Sequence, residues 1–298
     1  MIEKYKWPFP NTPFPWWWKL PSYAAVSTVG ILSRIWLTWA NSTKVYQKHY
    51  LDDAVLKRDK GKALVTVANH YSCIDDPILC GMLPWNTFFT PHKLRWVPAA
   101  HDICFTKAWH GNFFGLGRVS MNPISFVLSL RLNFNHMFRK SLLTVSSFII
   151  FLSQCVPVVR GDGVYQRGMD FILENLNRGE WAQVFPEGKV NMEKSWIRLK
   201  WGVGRLISEC KHVPIVVPFY HVGVDDILPP SSKWYIPRVG QKVTILIGEP
   251  MDFTAQLENC NKLGHTAMEK RKIITDVIQE TLQCLKAEAT KLHNARKR

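Results

Sequence analysis

The chain has 298 residues, 47% of them hydrophobic, so it is long enough to bury a sizeable core in one domain. Its 38 lysines and arginines outnumber its 23 aspartates and glutamates, and the resulting formal charge of +15 predicts a polyanionic partner. Thirteen tryptophans favour an anionic membrane surface over nucleic acid, and the sequence has no zinc-finger or RNA-binding signature. Seven cysteines without a C-x-x-C pair argue against a disulfide framework and against a metal site.

The first 45 residues predict a membrane-associating segment. Residues 7–21 are dense in proline and tryptophan, a composition that disfavours a helix and favours a membrane interface. Ser22 to Ala40 is apolar apart from hydroxyl groups and Arg34, and at 19 residues it is borderline for a spanning helix. We expect an anchor that lies in the membrane plane or is half inserted, rather than a full span. No cleavable signal peptide is evident.

Residues 62–77 carry the first candidate site. Ala63 to Ala68 is a short apolar run that predicts a buried strand, and Asp76-Pro77 predicts the start of a helix. His70 and Asp75 therefore lie in a strand-to-helix connection, where open α/β sheets place their chemistry. A histidine oriented by a carboxylate can act as a general base. Two alternatives stay open: Asp75 serves only a capping box with Ser72, or His70 is a core histidine.

The rest of the chain alternates strands with helices. Predicted strands are Cys155–Arg160, Trp181–Phe185, Val213–Phe219 and Lys242–Ile247, and predicted helices are Tyr165–Leu176, Trp196–Cys210 and Thr266–Leu292, with a further helix start near Asp102. This alternation predicts an α/β fold with a mixed, mostly parallel sheet flanked by helices. We place it in a domain at 46–298, in which 266–298 is an amphipathic helix with a basic, solvated or lipid-facing tail.

Three residues at the ends of later strands suit a phosphorylated substrate that bears a hydroxyl group. Arg160 can pair bidentately with phosphate oxygens, Glu187 can hold a hydroxyl group, and Gly188 permits close backbone approach. The alternatives are a surface ion pair for Arg160, a loop carboxylate for Glu187 and an ordinary turn for Gly188.

These stretches together resemble the glycerophospholipid acyltransferase family. Its motifs are matched in order by Asn69-His70-x4-Asp75, Val158-Val159-Arg160, Phe185-Pro186-Glu187-Gly188 and Val213-Pro214-Ile215-Val216-Val217-Pro218. The resemblance implies that His70 and Asp75 are catalytic, and that Arg160, Glu187, Gly188 and Lys189 bind substrate. It implies no cofactor and no metal. His-x4-Asp alone is a weak signal, but four motifs in the family's order are a strong one.

The chain departs from the broad family where Lys189-Val190-Asn191 replaces the usual Thr-Arg-Ser. That variant resembles one branch, which implies a mitochondrial enzyme facing the intermembrane space as a peripheral or monotopic membrane protein. The implied activity is phospholipid–lysophospholipid transacylation that remodels cardiolipin by acylating monolysocardiolipin, without acyl-CoA. An acyl-CoA-dependent lysophospholipid acyltransferase and a membrane-binding protein with a dead site remain alternatives. Acyl-chain preference and oligomeric state are left open.

Residues 119–154 interrupt the resemblance. The segment lacks aspartate and glutamate, and without it Gly117-Arg118 would run into Cys155 to Arg160 as one family-like motif. Its ends can be encoded with splice-donor and splice-acceptor sequences. Our hypothesis is a translated intron or an error in the gene model, and the alternatives are a membrane-dipping loop and an ordinary surface insertion. We expect the chain to leave the sheet at Gly117 and return at Cys155.

Overall fold

The computed structural model describes residues 7, 9, 14–90, 93, 95–104, 154–229 and 237–297. Helices in these ranges are α1 (Trp16–Ile35), α2 (Lys48–Leu56), α3 (Asp75–Cys80), α4 (Trp85–Phe88), α5 (His101–Cys104), α6 (Arg167–Asn177), α7 (Gly202–Ser208), α8 (Val224–Ile227), α9 (Thr254–Lys262) and α10 (Ala267–Lys297). Strands are β1 (Ser42–Tyr46), β2 (Leu64–Ala68), β3 (Arg95–Ala100), β4 (Gln154–Val158), β5 (Trp181–Val184), β6 (Ile215–Val222) and β7 (Lys242–Ile247). The predicted α/β architecture is confirmed.

Among the described residues the strands form one sheet in the order β1-β7-β6-β2-β5-β3-β4. The five strands from β6 to β4 are parallel to one another. Strands β1 and β7 are parallel to each other, and β7 pairs antiparallel with β6. The carboxyl ends of β6, β2, β5, β3 and β4 therefore meet at one edge, with β2 near the middle of the sheet.

Helices cover both faces of the sheet, which explains why all five residues of β2 are buried. One hydrophobic cluster takes Ile172 from α6, Leu206 from α7 and Ile278 from α10. The other cluster takes Leu51 from α2 and Leu79 from α3. The helices cover the two faces of the sheet but not the carboxyl edge of its parallel strands. The connecting loops lie at that edge, and they carry the candidate residues.

The N-terminal segment differs from its prediction. Helix α1 begins at Trp16 and includes Pro21, whereas we expected proline to exclude a helix before Ser22. The prediction was wrong because a helix can accommodate a single internal proline: Pro15 precedes the helix, and Pro21, its sixth residue, lacks only the N–H that would bond the carbonyl four residues earlier. Trp36–Ala40 continues α1 as a π-helical turn. Among the helices of the described residues, none is both long and apolar enough to cross a membrane.

Helix α1 belongs to the packed structure. The Arg34 guanidinium donates to the Leu83 carbonyl at 2.6 Å, and a Cβ added at Gly81 would lie 2.6 Å from the Arg34 nitrogen. Only glycine permits this close approach of the α1 backbone to the end of α3. The predicted boundary at residue 45 falls inside β1, which pairs with β7. Membrane association of this segment stays a prediction.

Other helices and strands also differ from their predicted boundaries. Strands β1 and β3 and helix α2 were not predicted, and the basic helix expected at Trp196–Cys210 is confined to α7. In the tail that we expected to be solvated or lipid-facing, the Arg296 guanidinium donates to the Ser42 carbonyl at 2.6 Å. The return to the sheet occurs at Gln154, one residue before the expected Cys155, because Gln154 pairs with Trp96. The remainder of the 119–154 segment, and its proposed exit at Gly117, lie outside the described residues.

Candidate active site

His70 and Asp75 lie within hydrogen-bonding distance at the carboxyl end of β2. The Nδ1 atom of His70 is 3.0 Å from Oδ2 of Asp75. The histidine side chain is 21% exposed, and the aspartate side chain is fully buried. The His70 ring stacks on Phe185, with 4.5 Å between ring centres. This arrangement orients the ring and, with the proton on Nδ1, leaves the lone pair of Nε2 to accept a proton.

The Asp75 carboxylate is also held by the backbone of its own loop. Oδ2 accepts the N–H groups of Tyr71 at 2.6 Å and Ser72 at 2.8 Å. The bond from Ser72 is one of the two bonds of a capping box; the Ser72 hydroxyl accepts the Ile74 N–H at 3.5 Å instead of the Asp75 N–H. Half of the box is therefore present, and this is compatible with the contact between Asp75 and His70. Helix α3 begins at Asp75, one residue before the expected cap at Asp76. These donors compensate Oδ2 for its lost hydration, whereas Oδ1 is buried without a hydrogen-bond partner among the described residues.

Glu187 reaches the same loop from β5. Its Oε1 atom accepts the backbone N–H of His70 at 2.9 Å. Burial raises the pKa of Glu187 above its ordinary 4.5, and the His70 N–H opposes that shift. The second carboxylate oxygen, Oε2, has no hydrogen-bond partner among the described residues. The Glu187 carboxyl therefore contacts the His70 loop and retains one oxygen for another donor.

The neighbours of Glu187 are more exposed. Gly188 has φ of +70°, a conformation that favours glycine, and it is exposed together with Lys189. The backbone N–H of Asn191, three residues further on, donates to the His70 carbonyl at 2.7 Å. The loop after β5 is thus anchored on the His70 segment, with Gly188 and Lys189 at its surface.

Arg160 lies at the same edge of the sheet but away from His70. It follows β4, which is separated from β2 by β5 and β3. At about 4.8 Å per strand, three steps correspond to about 14 Å across the sheet. The Arg160 guanidinium is 3.4 Å from the Asp102 carboxylate, and its side chain is 40% exposed. The structure therefore brings His70, Asp75 and Glu187 together and leaves Arg160 at the margin.

His221 contacts this site, although the sequence analysis missed it. It lies in β6, is fully buried, and its Nε2 atom is 2.9 Å from the Asn69 carbonyl and 3.6 Å from Oδ2 of Asp75. A single histidine in an apolar strand is not distinctive. The signal that was present is its place two residues after the predicted strand Val213–Phe219, at the end where the other candidate residues lie.

A pocket lies beside the pair, between the loop after β5 and helix α10. It is lined by Asn69, Tyr71, Glu187, Asn191, Ser195, Trp196, Ile197, Leu199, Tyr220, Gln279, Leu282, Gln283 and Lys286. The hydroxyl groups of Tyr71 and Tyr220 are hydrogen-bonded to each other. Burial raises the pKa of both phenols, so they stay protonated at neutral pH. The pocket gives a partly apolar recess next to Glu187.

Comparisons with known proteins give consistent relatives. A family model described as Acyltransferase matches residues 123–222. The chain is 40% identical over 291 residues to the Drosophila melanogaster protein named Tafazzin, covering 97% of this chain and 67% of that protein. It is 31% identical to the Dictyostelium discoideum protein named Taffazin, covering 76% of this chain and 68% of that protein. It is 29% identical to the N-acylphosphatidylethanolamine synthase of Arabidopsis thaliana, covering 88% of this chain and 79% of that protein.

Proposed function

This chain belongs to the tafazzin family and is a phospholipid acyltransferase, and we propose that it moves an acyl chain from a phospholipid to a lysophospholipid without acyl-CoA. The observation that carries the proposal is the 3.0 Å contact between His70 and the fully buried Asp75. A pair of this geometry activates a hydroxyl group, which is the acceptor that a lysophospholipid offers. Monolysocardiolipin is the acceptor that we propose, so the reaction remodels cardiolipin.

The reaction has two proton transfers at one atom. His70 Nε2 takes the proton of the acceptor hydroxyl as its oxygen attacks the ester carbonyl carbon of the donor phospholipid. The tetrahedral intermediate collapses when the bond between the acyl carbon and the donor's glycerol oxygen breaks. His70 returns the proton to that oxygen, so the donor leaves as a lysophospholipid. Asp75 keeps the ring in one tautomer and stabilises the imidazolium form in between.

We assign substrate contacts to the residues around the pair. Glu187 has a free buried oxygen, Oε2, for a glycerol hydroxyl group. Gly188 and Lys189 form the exposed surface next to it. Arg160 would take a phosphate at the margin of the sheet, exchanging its 3.4 Å pair with Asp102 for a bidentate contact. The separation of about 14 Å suits a large, multiply acylated lipid with more than one phosphate.

The decisive test is acyl transfer by the purified full chain in vesicles. The donor is phosphatidylcholine with a labelled acyl chain, the acceptor is monolysocardiolipin or lysophosphatidylcholine, and a parallel reaction supplies acyl-CoA as donor. We expect transfer without acyl-CoA, faster to monolysocardiolipin. Transfer that occurs only with acyl-CoA as the donor would support an acyl-CoA-dependent lysophospholipid acyltransferase. If neither donor gives transfer, the result supports a membrane-binding protein with an inactive site.

The variant His70→Ala tests the assigned base in the same assay. It should abolish transfer and leave vesicle binding intact, whereas His212→Ala, a change at an exposed histidine, should behave like the wild type. Near-normal turnover by His70→Ala would exclude this mechanism.

A second candidate activity is acyl transfer to the amine of phosphatidylethanolamine. The observation that favours it is the 29% identity to the Arabidopsis thaliana N-acylphosphatidylethanolamine synthase. The same base would take a proton from the attacking amine, and the product would be an amide. Adding phosphatidylethanolamine to the vesicles tests this, because an amide product survives mild alkali that cleaves esters.

We further propose that α1, the π-helical turn that follows it, and α4 with its C-terminal flanking residue form a membrane-facing surface. Large apolar side chains are exposed there: Trp16, Leu32, Ile35, Trp39, Trp85 and Phe89. The Arg34 guanidinium lies 4.7 Å from the centre of the Trp85 ring, which adds a cation next to these indoles. Tryptophan and basic side chains are the residues that bind a lipid–water interface.

Vesicle sedimentation tests this surface. The charge of +15 predicts tighter binding to anionic than to neutral vesicles, and the difference should shrink with salt. Trp39→Ser should weaken the salt-insensitive part, because the Trp39 side chain is 84% exposed. The matched control is Leu263→Ser, also exposed, at the end of helix α9 on the opposite face of the sheet. Equal binding to both vesicle types at low salt would contradict the electrostatic part.

For the location we propose a mitochondrial membrane, on the side that faces the intermembrane space. The support is the resemblance to the tafazzin branch and the proposed cardiolipin substrate. Protease protection of the chain in intact and in osmotically ruptured mitochondria tests it.

A further inference from the structure

The peptide group that joins Asn69 to His70 is held on both sides by side chains from neighbouring strands. Its carbonyl oxygen is 2.9 Å from Nε2 of His221, which lies in β6. Its N–H, the backbone N–H of His70, donates to Oε1 of Glu187 at 2.9 Å from the β5 side. This peptide plane contains the Cα atom of His70, so the two contacts fix the point from which the His70 side chain projects.

Asn69 strengthens the contact on the β6 side. Its side-chain oxygen accepts the backbone N–H of His221 at 2.9 Å, and its side-chain nitrogen donates to the His221 carbonyl at 3.1 Å. With the ring contact, three hydrogen bonds join Asn69 and His221. Strand β2 ends at Ala68, and the backbone hydrogen bonds between strands end with it. The bonds between Asn69 and His221 therefore hold the chain in place for one further residue.

The tautomer of His221 follows from its partners. A carbonyl oxygen only accepts hydrogen bonds, so Nε2 of His221 carries the hydrogen. The same N–H lies 3.6 Å from Oδ2 of Asp75, the oxygen that also faces Nδ1 of His70. The other ring nitrogen, Nδ1, has no hydrogen-bond partner among the described residues. His221 therefore presents one polar hydrogen to the Asn69 carbonyl, next to the carboxylate that holds His70.

We propose that His221 is a positioning residue for acyl transfer, which fixes the His70 ring through the Asn69–His70 peptide and through Asp75. It does not touch substrate and does not exchange a proton. This inference rests on the proposed role of His70 as the base. Glu187 acts on the same peptide from the other side, in addition to any contact with substrate. Misplacing a reacting group by about 1 Å can lower a rate about 100-fold, so the constraint has a measurable effect.

Two amide substitutions separate positioning from a merely structural role. In His221→Gln the side-chain NH2 group falls near the position of Nε2 and can still donate to the Asn69 carbonyl. In His221→Asn it falls near the position of Nδ1 and cannot reach that oxygen. Both variants bury one neutral amide in place of one neutral imidazole, so they differ mainly in where the donor lies.

The experiment measures kcat, KM and Tm for both variants in the vesicle assay. We expect His221→Asn to lower kcat about 10- to 100-fold with KM within about threefold of the wild type. His221→Gln should lose less than about fivefold. Equal kcat losses in two folded variants would overturn the proposal, as would a change confined to KM. Unfolding of both variants would overturn it too, because His221 would then support the fold rather than the base.

His70→Ala distinguishes this inference from the proposed function on which it rests. If His70→Ala keeps normal turnover, the base assignment fails and His221 has nothing to position. If His70→Ala is inactive while His221→Asn has the kcat of the wild type, the proposed function stands and the positioning role alone is wrong.

Discussion

The centre and the margin of the sheet's carboxyl edge are built differently. At the centre, His70 has its ring bonded to Asp75 and its backbone N–H bonded to Glu187. At the margin, the Arg160 guanidinium pairs at 3.4 Å with Asp102, whose side chain is 61% exposed. His70 is constrained by its own loop and by the loop after the neighbouring strand β5, whereas Arg160 is a long side chain at the surface.

The difference follows from what each position is proposed to do. A general base gains rate when its geometry is set before the substrate arrives, because reorganisation then adds nothing to the barrier. A phosphate contact on a large lipid is made on binding and can exchange a weak surface pair for a stronger one. We therefore expect changes at the centre to lower kcat and changes at the margin to raise KM.

The largest effect is expected at the centre, from Asp75→Ala. Losing the carboxylate removes the partner of Nδ1, and kcat should fall about 10²- to 10⁴-fold, the usual range for acid–base assistance. Asp75→Asn keeps an acceptor for the loop amides and serves as the variant that preserves the fold. The control is Asp53→Ala, at an exposed aspartate in α2. A kcat within about threefold of the wild type in both Asp75 variants would contradict the proposed difference between the centre and the margin of the sheet's carboxyl edge.

The next effect is expected at the margin, from Arg160→Ala. Removing a hydrogen bond to a charged group costs about 1.5–3 kcal/mol, so the apparent KM for the acceptor should rise about 10- to 100-fold while kcat changes less. Arg178→Ala is the matched control, because Arg178 is 42% exposed and has a similar 3.6 Å pair with Glu180. An unchanged KM with a collapsed kcat would assign Arg160 to the chemical step instead.

A smaller effect is expected for stability, from Glu187→Gln. Burial raises the pKa of Glu187 in the folded state above 4.5, so the folded state holds this proton more tightly than the unfolded state does. Stability is therefore lost as pH rises from 4.5 through the raised pKa. Glutamine does not titrate and still accepts the His70 N–H, so its Tm should exceed that of the wild type at pH 8 by a few degrees.

Thermal denaturation at pH 4.5 and pH 8 measures this difference. Glu258→Gln, at an exposed glutamate in α9, supplies the control. A Tm advantage of Glu187→Gln that is the same at both pH values would contradict the assignment to ionisation of this buried carboxyl.

The smallest effect is expected from deleting residues 119–154. The deletion joins Arg118 to Cys155, so Arg118 takes the place of Gln154 opposite Trp96, at the margin of the sheet. If the segment is a translated intron, folding and kcat should be preserved or improved. Loss of vesicle binding would instead support the dipping-loop alternative. Transcript sequencing tests the origin, because the intron hypothesis requires a message without these codons.

The site was predictable where its parts are close in sequence. His70 and Asp75 are five residues apart, and both readings of Ser72-x-x-Asp75 were available from spacing alone. The contact of His221 with Asn69 joins residues 152 apart, and it depends on β6 lying beside β2. A single sequence does not contain that strand order. For the same reason the place of Arg160 at a strand end was predictable, and its distance from His70 was not.

The fold was predictable in kind and less so in its boundaries. The apolar run Ala63–Ala68 was recognised because burial on both faces leaves a continuous hydrophobic pattern, and β2 occupies Leu64–Ala68. The helix expected at Trp196–Cys210 does not form in its first half, because the side chain of Gln279 in α10 binds the backbone there in a non-helical conformation. Its side chain accepts the Leu199 N–H and donates to the Ile197 carbonyl. Tertiary hydrogen bonds there override the local helical preference.

The strand order also determines when the protein can fold during its synthesis. Asn41, next to β1, is hydrogen-bonded to Gln241, 200 residues later. Strand β2 pairs with β5 and β6, and both of these strands are synthesised after it. At about 5–20 residues per second, the ribosome needs roughly 10–40 s to make the missing partners. Throughout that interval α1, with its indole side chains, has left the ribosome without the sheet edge that later fixes β1. The apolar side chains of α1 are therefore accessible to chaperones until the later strands have been made.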